Sequence, residues 1–344
     1  MRIFRFFVLF GLLMTGGFCV AQNDAEIDSI LRYQLPNGGW MKNQDWLRGV
    51  DQTEYRQALE TGVGATIDNQ ATWGEIRHLA SYFAAIDKMS PKAQAVASAV
   101  NRGLEYLLQM QYANGGFPQF YPQKKDEHYS RQITFNDGAM VQVLRLLRDV
   151  ADQRTPFSLM PIPVELRKRC GEAYERGIGC VLSCQVRLKG KLTVWCQQHD
   201  CETLQPVGAR AYELPSLCGA GETADILRLL MEVRQPSEEI KTAVRSGVEW
   251  LRSHALHGKR VETFVNADGK KDLRLIDDPS APLLWARFYD LKKQQPFFSD
   301  RTGKMFRNFS DIQYERRNGY AWFGYQPQKL LEEYEVWKKV KSEE

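Results

Sequence analysis

The chain has 344 residues, with 46 Lys and Arg against 42 Asp and Glu and a formal net charge of +4 at pH 7. So mild an excess suits an anionic ligand, and the basic residues are scattered rather than gathered into the stripe that nucleic acid requires, so no nucleic-acid partner is expected. The length exceeds the usual single domain, but no Ser/Gly/Pro-rich linker divides it, and one large repetitive domain over 22–344 is expected.

Residues 1–21 read as a signal peptide. Arg2 and Arg5 give a basic start, Phe6 to Leu13 an apolar centre, and Cys19-Val-Ala21 a small-residue exit. The apolar run is too short to cross a bilayer, and no later stretch is apolar for long enough. A secreted or periplasmic protein without a membrane span is expected; lipid attachment at Cys19 is disfavoured by the bulky Phe18 before it.

A short helix over Asp24–Tyr33 leads into a turn and an aromatic, Gln34-Leu-Pro-Asn-Gly-Gly-Trp40. The same pattern returns in Gln109-Met-Gln-Tyr-Ala-Asn-Gly-Gly-Phe117, and a degraded copy spans Cys184–Trp195. The step of about 75 residues points to a stacked repeat. Amphipathic helices precede or follow these turns over Ala95–Gln109, Arg169–Cys184 and Ser237–Ser253, the last opened by Ser237 with two glutamates behind it. A second kind of helix starts polar and turns apolar: Thr72–Asp87, Asp137–Asp149, Gly221–Val233 and Ser280–Leu291. Alternating outer and inner helices predict an all-α fold, an α/α toroid of three paired-helix repeats. Its inner-helix N-termini would meet at one rim, with the long loops Phe120–Gln132 and Lys189–Pro215 walling a cleft. The last third is loop-rich, and a charged helix over Gln328–Val340 closes the chain.

Chemistry concentrates at three stretches. Arg210 lies in Gly208-Ala-Arg-Ala-Tyr-Glu-Leu-Pro-Ser-Leu217, Asp68 in Ala65-Thr-Ile-Asp-Asn-Gln-Ala-Thr72, and Asp137 in Ile133-Thr-Phe-Asn-Asp-Gly-Ala-Met140. Each aspartate could simply cap the helix that follows. Their repetition inside Asn/Asp pairs, Asp68-Asn69 and Asn136-Asp137, fits instead a hard cation such as calcium, although the spacing is not that of an EF-hand loop. Arg210 could form an ordinary salt bridge with Glu213. Arg287, on the apolar helix expected over Ser280–Leu291, must meet a partner or line a cleft, and Arg301 sits in a polar loop. Arginines grip carboxylates with paired hydrogen bonds, so three of them near two aspartates make a site for a carboxylate-bearing ligand. Asp68, Asp137 and Arg210 are expected to converge. Trp40, Trp46, Phe117, Tyr121 and Tyr320 could stack on sugar rings or fill the core.

Other chemistries find little support. The five histidines lack metal-ligand spacing, and no Gly-x-Ser-x-Gly elbow is present. Six cysteines follow the leader, and their spacings favour disulfides or buried thiols over zinc.

Taken in order, ATIDNQAT, GGFPQFYP, ITFNDGAM, GARAYELPSL, WARFYD and ERRNGYAWFG resemble the family 10 pectate lyases among the polysaccharide lyases, from about Leu35 to Gln326. The resemblance implies an α/α toroid of three repeats and calcium-assisted β-elimination of polygalacturonate by a monomer. By position, Arg210 resembles the catalytic base, and Asp68 and Asp137 the essential acidic residues at the cation and the substrate. Arg287 and Arg301 resemble the arginines that hold uronate carboxylates, with Asn69 and Tyr320 as further substrate contacts. The chain departs at Gln70, Trp73-Gly74 and Cys218. The alternatives are a non-catalytic uronate-binding protein and a glycoside hydrolase on a helical toroid, which would need two carboxylates at a set separation.

Overall fold

The computed structural model describes residues 24–125 and 128–342; the leader read over 1–21 lies outside them. Its helices are α1 (24–32), α2 (Gln52–Thr61), α3 (Trp73–Ala85), α4 (Pro91–Met110), α5 (Ala139–Ala151), α6 (Val164–Ser183), α7 (Gly221–Met231), α8 (Glu238–Ser253), α9 (Tyr314–Asn318) and α10 (Gln326–Ser342). The periodic segments read as helices between Thr72 and Ser253 are helices, with ends displaced by a few residues. At α8 the Ser237 hydroxyl accepts the Ile240 N–H at 3.3 Å, and Glu238 and Glu239 sit in the first turn beside the positive end of the helix dipole. The mostly exposed α2 has no apolar stripe to announce it. It is defined by its ends: Asp51 accepts the N–H groups of Thr53 and Glu54, and Gly62 closes it at φ 68°.

The all-α class and the three-repeat α/α toroid do not hold. The fold is mixed, with antiparallel strand pairs between and after the helices. Lys259–Val265 and Lys271–Asp277 form a seven-residue hairpin in register from Lys259↔Asp277 to Val265↔Lys271. The predicted helix Ser280–Leu291 is absent. Pro279 and Pro282 disfavour it, and the aromatic-rich Trp-Ala-Arg-Phe-Tyr run instead supplies strand Trp285–Ala286, paired with Phe323–Gly324, and strand Phe288–Tyr289, paired with Leu217–Cys218.

Backbone contacts divide the chain into two compact units. Of the described residues, one holds those up to Gln109 with Phe120–Pro122 and Asp149–Cys170; the other holds those of Met110–Gln119, Gln123–Arg148 and from Gly171 onward. In the first unit α3 buries Ile76, Leu79, Ala80 and Phe83. Trp40 is wholly buried there, its indole N–H donating to Ile30 O at 2.8 Å. In the second, α7 packs on α8, α10 and the Asn136–Gly138 turn. A cluster of Phe288, Phe297, Phe298, Phe309, Ile312, Trp322 and Cys218 forms the core behind the last third of the chain.

The recurring turns are real at the level of hydrogen bonds. Gln34 donates to Gly38 O and Ala99 O, at 2.7 and 2.9 Å. In the second unit Gln111 donates to Gly115 O and Ala173 O, at 3.0 and 2.8 Å, and Gln185 to Thr193 O and Ala243 O, at 2.8 and 3.0 Å. Gly38 and Gly115 take φ of 96° and 88°, and a side chain at either would strike a helix carbonyl, that of Arg102 or Arg176. These are positions only glycine can hold.

Candidate active site

In the first unit, Asp68 opens a 3-10 turn in which Asn69 and Gln70 have φ of 49° and 70°. Two threonines fix it. Thr66 Oγ1 accepts the Asp68 N–H at 3.1 Å, and Thr72 Oγ1 donates to Thr66 O at 2.8 Å. The Asp68 carboxylate is buried and meets Lys42 Nζ at 2.6 Å. It accepts no N–H from α3, so the helix-cap reading of Asp68 fails. Asn69 donates to Asn43 Oδ1 at 2.8 Å.

The second unit repeats the device. Strand Ile133–Thr134 pairs with Gln198–His199 and delivers the chain into a 3-10 turn with Asp137 at φ 51° and Gly138 at φ 72°. Asn136 is buried, while the Asp137 side chain is 53% exposed. Asp137 Oδ2 accepts from Asn136 Nδ2 at 3.0 Å, and again no helix N–H is capped.

Arg287 enters from the turn between strands Trp285–Ala286 and Phe288–Tyr289. It is 12% exposed, ion-paired with the buried Glu222 of α7, 3.6 Å from Asp137 Oδ1 and 3.0 Å from Asn136 Oδ1. Its guanidinium lies 4.7 Å from the Tyr320 ring centre. Burial alone would favour its neutral form, but Glu222, Tyr320, Cys218 and Asp137 outweigh that and raise its pKa, so it stays a cation. Together with Asp137 and Glu222 it lines a cavity of about 340 Å³ reached also by Asp225, Phe323 and Gln326.

Arg210 is held by Glu213. Nε donates to Oε2 at 2.8 Å, Nη2 to Oε1, and the Arg210 backbone N–H to Oε2 at 3.1 Å. Glu213 is 3% exposed and also accepts from Tyr320 OH at 2.9 Å and Gln197 Nε2 at 3.2 Å; Gln197 bonds Asn136 as well. Burial raises the Glu213 pKa, yet Arg210 and Tyr320 more than offset it and hold the carboxyl below its usual range. The same hydrogen bonds to Glu213 push Arg210 upward. Around the Tyr212 ring stand three guanidinium groups, Arg210 at 5.0 Å, Arg301 at 5.8 Å and Arg316 at 4.6 Å. Arg301 and Arg316 share Glu315. Three cations therefore share two carboxylates, and the excess positive charge suits an anionic ligand.

The second unit thus gathers Asp137, Arg210, Arg287, Arg301 and Tyr320 from the predicted set; Asp68 and Asn69 belong to the first unit. Trp40 and Phe117 are fully buried and are core. Glu222, Gln197 and Arg316 were not singled out by sequence, and Glu213 only as a salt-bridge partner. Glu222 reads as an ordinary acidic residue in a first helical turn, and nothing local marks Gln197. All six cysteines among the described residues are free thiols.

The family model for pectic acid lyases matches residues 34–331. The chain is similar to a family 10 polysaccharide lyase from Cellvibrio cellulosa: 33% identity, 96% of this chain and 98% of that chain covered, TM-score 0.77. It is equally similar to an aspartate-to-alanine mutant of a family 10 polysaccharide lyase from that organism, solved in complex with trigalacturonic acid: 32% identity, 96% and 99% covered, TM-score 0.77. No curated protein sequence matches significantly. With the family model spanning most of its length and a third of its residues shared with lyases of the same size, the chain belongs to the pectic acid lyases, polysaccharide lyase family 10.

Proposed function

We propose that this pectate lyase cleaves α-1,4-linked polygalacturonate by β-elimination, with Arg210 as base and calcium as cofactor, releasing 4,5-unsaturated oligogalacturonides. The observation that carries this reading is the Arg210 guanidinium. It is 44% exposed, braced from below by a buried carboxylate, and stands beside Arg301 and Arg316 in a patch with surplus positive charge. The similar lyase's complex with trigalacturonic acid supports a uronate substrate.

In this reading Arg287 and Arg301 bind uronate carboxylates and Tyr320 contacts the sugar, while Asn69 is a candidate sugar contact carried by the first unit. The proton on C5 passes to a nitrogen of neutral Arg210. The electron pair of the broken C–H bond forms the C4–C5 double bond as the C4–O bond breaks, and the departing oxygen takes a proton from water. Negative charge gathers on the adjacent carboxylate during this step, and cationic donors already in place stabilise it without reorganising.

Pectate lyases are generally calcium-dependent. Among the described residues no group of three or more His, Cys, Asp and Glu is placed to hold a metal. The donors present are nevertheless of the right kind for calcium. Asp137 exposes a carboxylate, and Asp68 has one oxygen bonded to Lys42 and the other with no hydrogen-bond partner among the described residues. Asp68 in the first unit and Asp137 in the second are the carboxylates we propose would each serve as a calcium ligand. When bound, calcium supplies positive charge beside the reacting carboxylate.

Arg210→Ala is expected to lower kcat on the order of 100- to 10,000-fold, followed by ultraviolet absorbance of the unsaturated product. A folded variant that keeps its rate rejects Arg210 as base. Chelation should abolish turnover and added calcium restore it; full activity in excess chelator rejects the cofactor. Because Glu213 opposes deprotonation of Arg210, the rate should climb with pH into the alkaline range. Pectate lyases are generally extracellular, and no helix among the described residues is long and apolar enough to cross a membrane. Export through the leader at 1–21 is the route we propose.

A further inference from the structure

We infer that Glu213 is a positioning residue that selects which nitrogen of Arg210 works as the base, leaving Nη1 to face the substrate. This rests on Arg210 being the base. The guanidinium has three nitrogens, and two are committed: Nε and Nη2 both donate to the Glu213 carboxylate, while Nη1 has no hydrogen-bond partner among the described residues. Glu213 cannot swing away to release them. It is 3% exposed, and its oxygens are further fixed by the Arg210 backbone N–H, Tyr320 OH and Gln197 Nε2.

A carboxylate that keeps accepting two N–H bonds requires protons to stay on Nε and Nη2. The proton Arg210 can give up is then one on Nη1, and the lone pair so created points away from Glu213. When C5–H breaks, that lone pair takes the proton, and the guanidinium formed is again paired with Glu213. The carboxylate therefore lowers the population of the neutral base but stabilises the cation the reaction produces, so each neutral Arg210 is a stronger proton acceptor. The other groups facing Arg210 are Tyr212 on its own loop, Tyr320 from the tail and Arg301 from its polar loop. Of these Tyr320 has its pKa pushed up by burial and stays uncharged, and Arg301 is a like charge, so Glu213 supplies the orienting counter-charge.

The experiment is chemical rescue in the full chain. Guanidinium chloride at millimolar concentration is added to Arg210→Ala, with product absorbance as the readout and thermal unfolding as the check on folding. Guanidine should fill the vacated place on Glu213 and restore the rate saturably, by about tenfold or more of what the base supplies. In Arg210→Ala with Glu213→Gln the rescue should vanish. In Arg210→Ala with Glu213→Asp, which keeps the charge on a shorter arm, it should persist at a higher half-saturating concentration; this variant decides the matter if the glutamine variant does not fold. Equal rescue with and without the carboxylate overturns the role of Glu213 while leaving Arg210 as base. An Arg210→Ala enzyme that needs no rescue overturns both.

Discussion

Arg287 shows how a charge is carried into a protein interior. Its side chain is largely buried with Glu222, 5% exposed, as counter-ion, and its Nε finds no acceptor among the described residues. Removing one member of such a pair strands the other, which typically costs about 3–5 kcal/mol. Arg287→Ala should therefore lose stability of that order in denaturant titration as well as activity. Replacing Arg287 and Glu222 together by apolar residues should recover most of the stability but not the turnover. Desolvation cost makes Arg287 need a partner or a cleft even though the helix expected around it is absent; it meets Glu222 and also lines the cavity, and the sequence could not name Glu222, 65 residues away. Asp68 and Asp137 were ambiguous for a different reason. A carboxylate before a helix reads the same whether it caps the helix or turns outward, and only the positive-φ turns at Asn69 and Asp137 separate the two.

Among the elements, helices α3 to α8 were legible because apolar side chains recur at helical spacing, whereas α2, without such a stripe, was not. The two-residue strands were not, since a pairing so short has no period to detect. Strand Gln198–His199 illustrates what holds such a piece in place. His199 is fully buried, Nδ1 assigned as donor to Leu204 O at 2.8 Å and Nε2 as acceptor from the Cys196 N–H at 3.1 Å. Burial depresses its pKa from 6.5 to about 4. The unfolded chain thus takes up a proton below pH 6.5 that the folded chain refuses until about 4. The contribution is complete above 6.5 and lost as pH falls through that window, about 3 kcal/mol in all. Urea titrations between pH 7 and 4 should show a shallower loss of stability in His199→Gln than in the wild type. The Lys259–Asp277 hairpin is tied down differently, by Asp272, which accepts from Arg317 twice at 2.7 Å and from Asn318 at 2.8 Å. Those donors hold the carboxyl far below its ordinary pKa, a contribution present at neutral pH and lost only on strong acidification.

For the whole molecule, the repeat was readable and the architecture was not. Turns such as Gln34–Trp40 recur because the glutamine, asparagine and glycine each do one fixed job, and that job shows in the sequence. A constant step says that copies exist; it does not say how they are arranged, and the toroid was an extrapolation from it that the strands of the last third contradict. Binding of a polyanion by a mildly basic protein should weaken with salt, so KM for polygalacturonate is expected to rise with ionic strength while kcat changes little. The cysteines carry a practical consequence. Of the six free thiols among the described residues, five are buried and only Cys201 is partly open to solvent. An alkylating dye applied to the native enzyme should therefore mark one position, giving a fluorescent reporter without any engineering, and the appearance of further labelled sites would time the moment at which the interior comes apart.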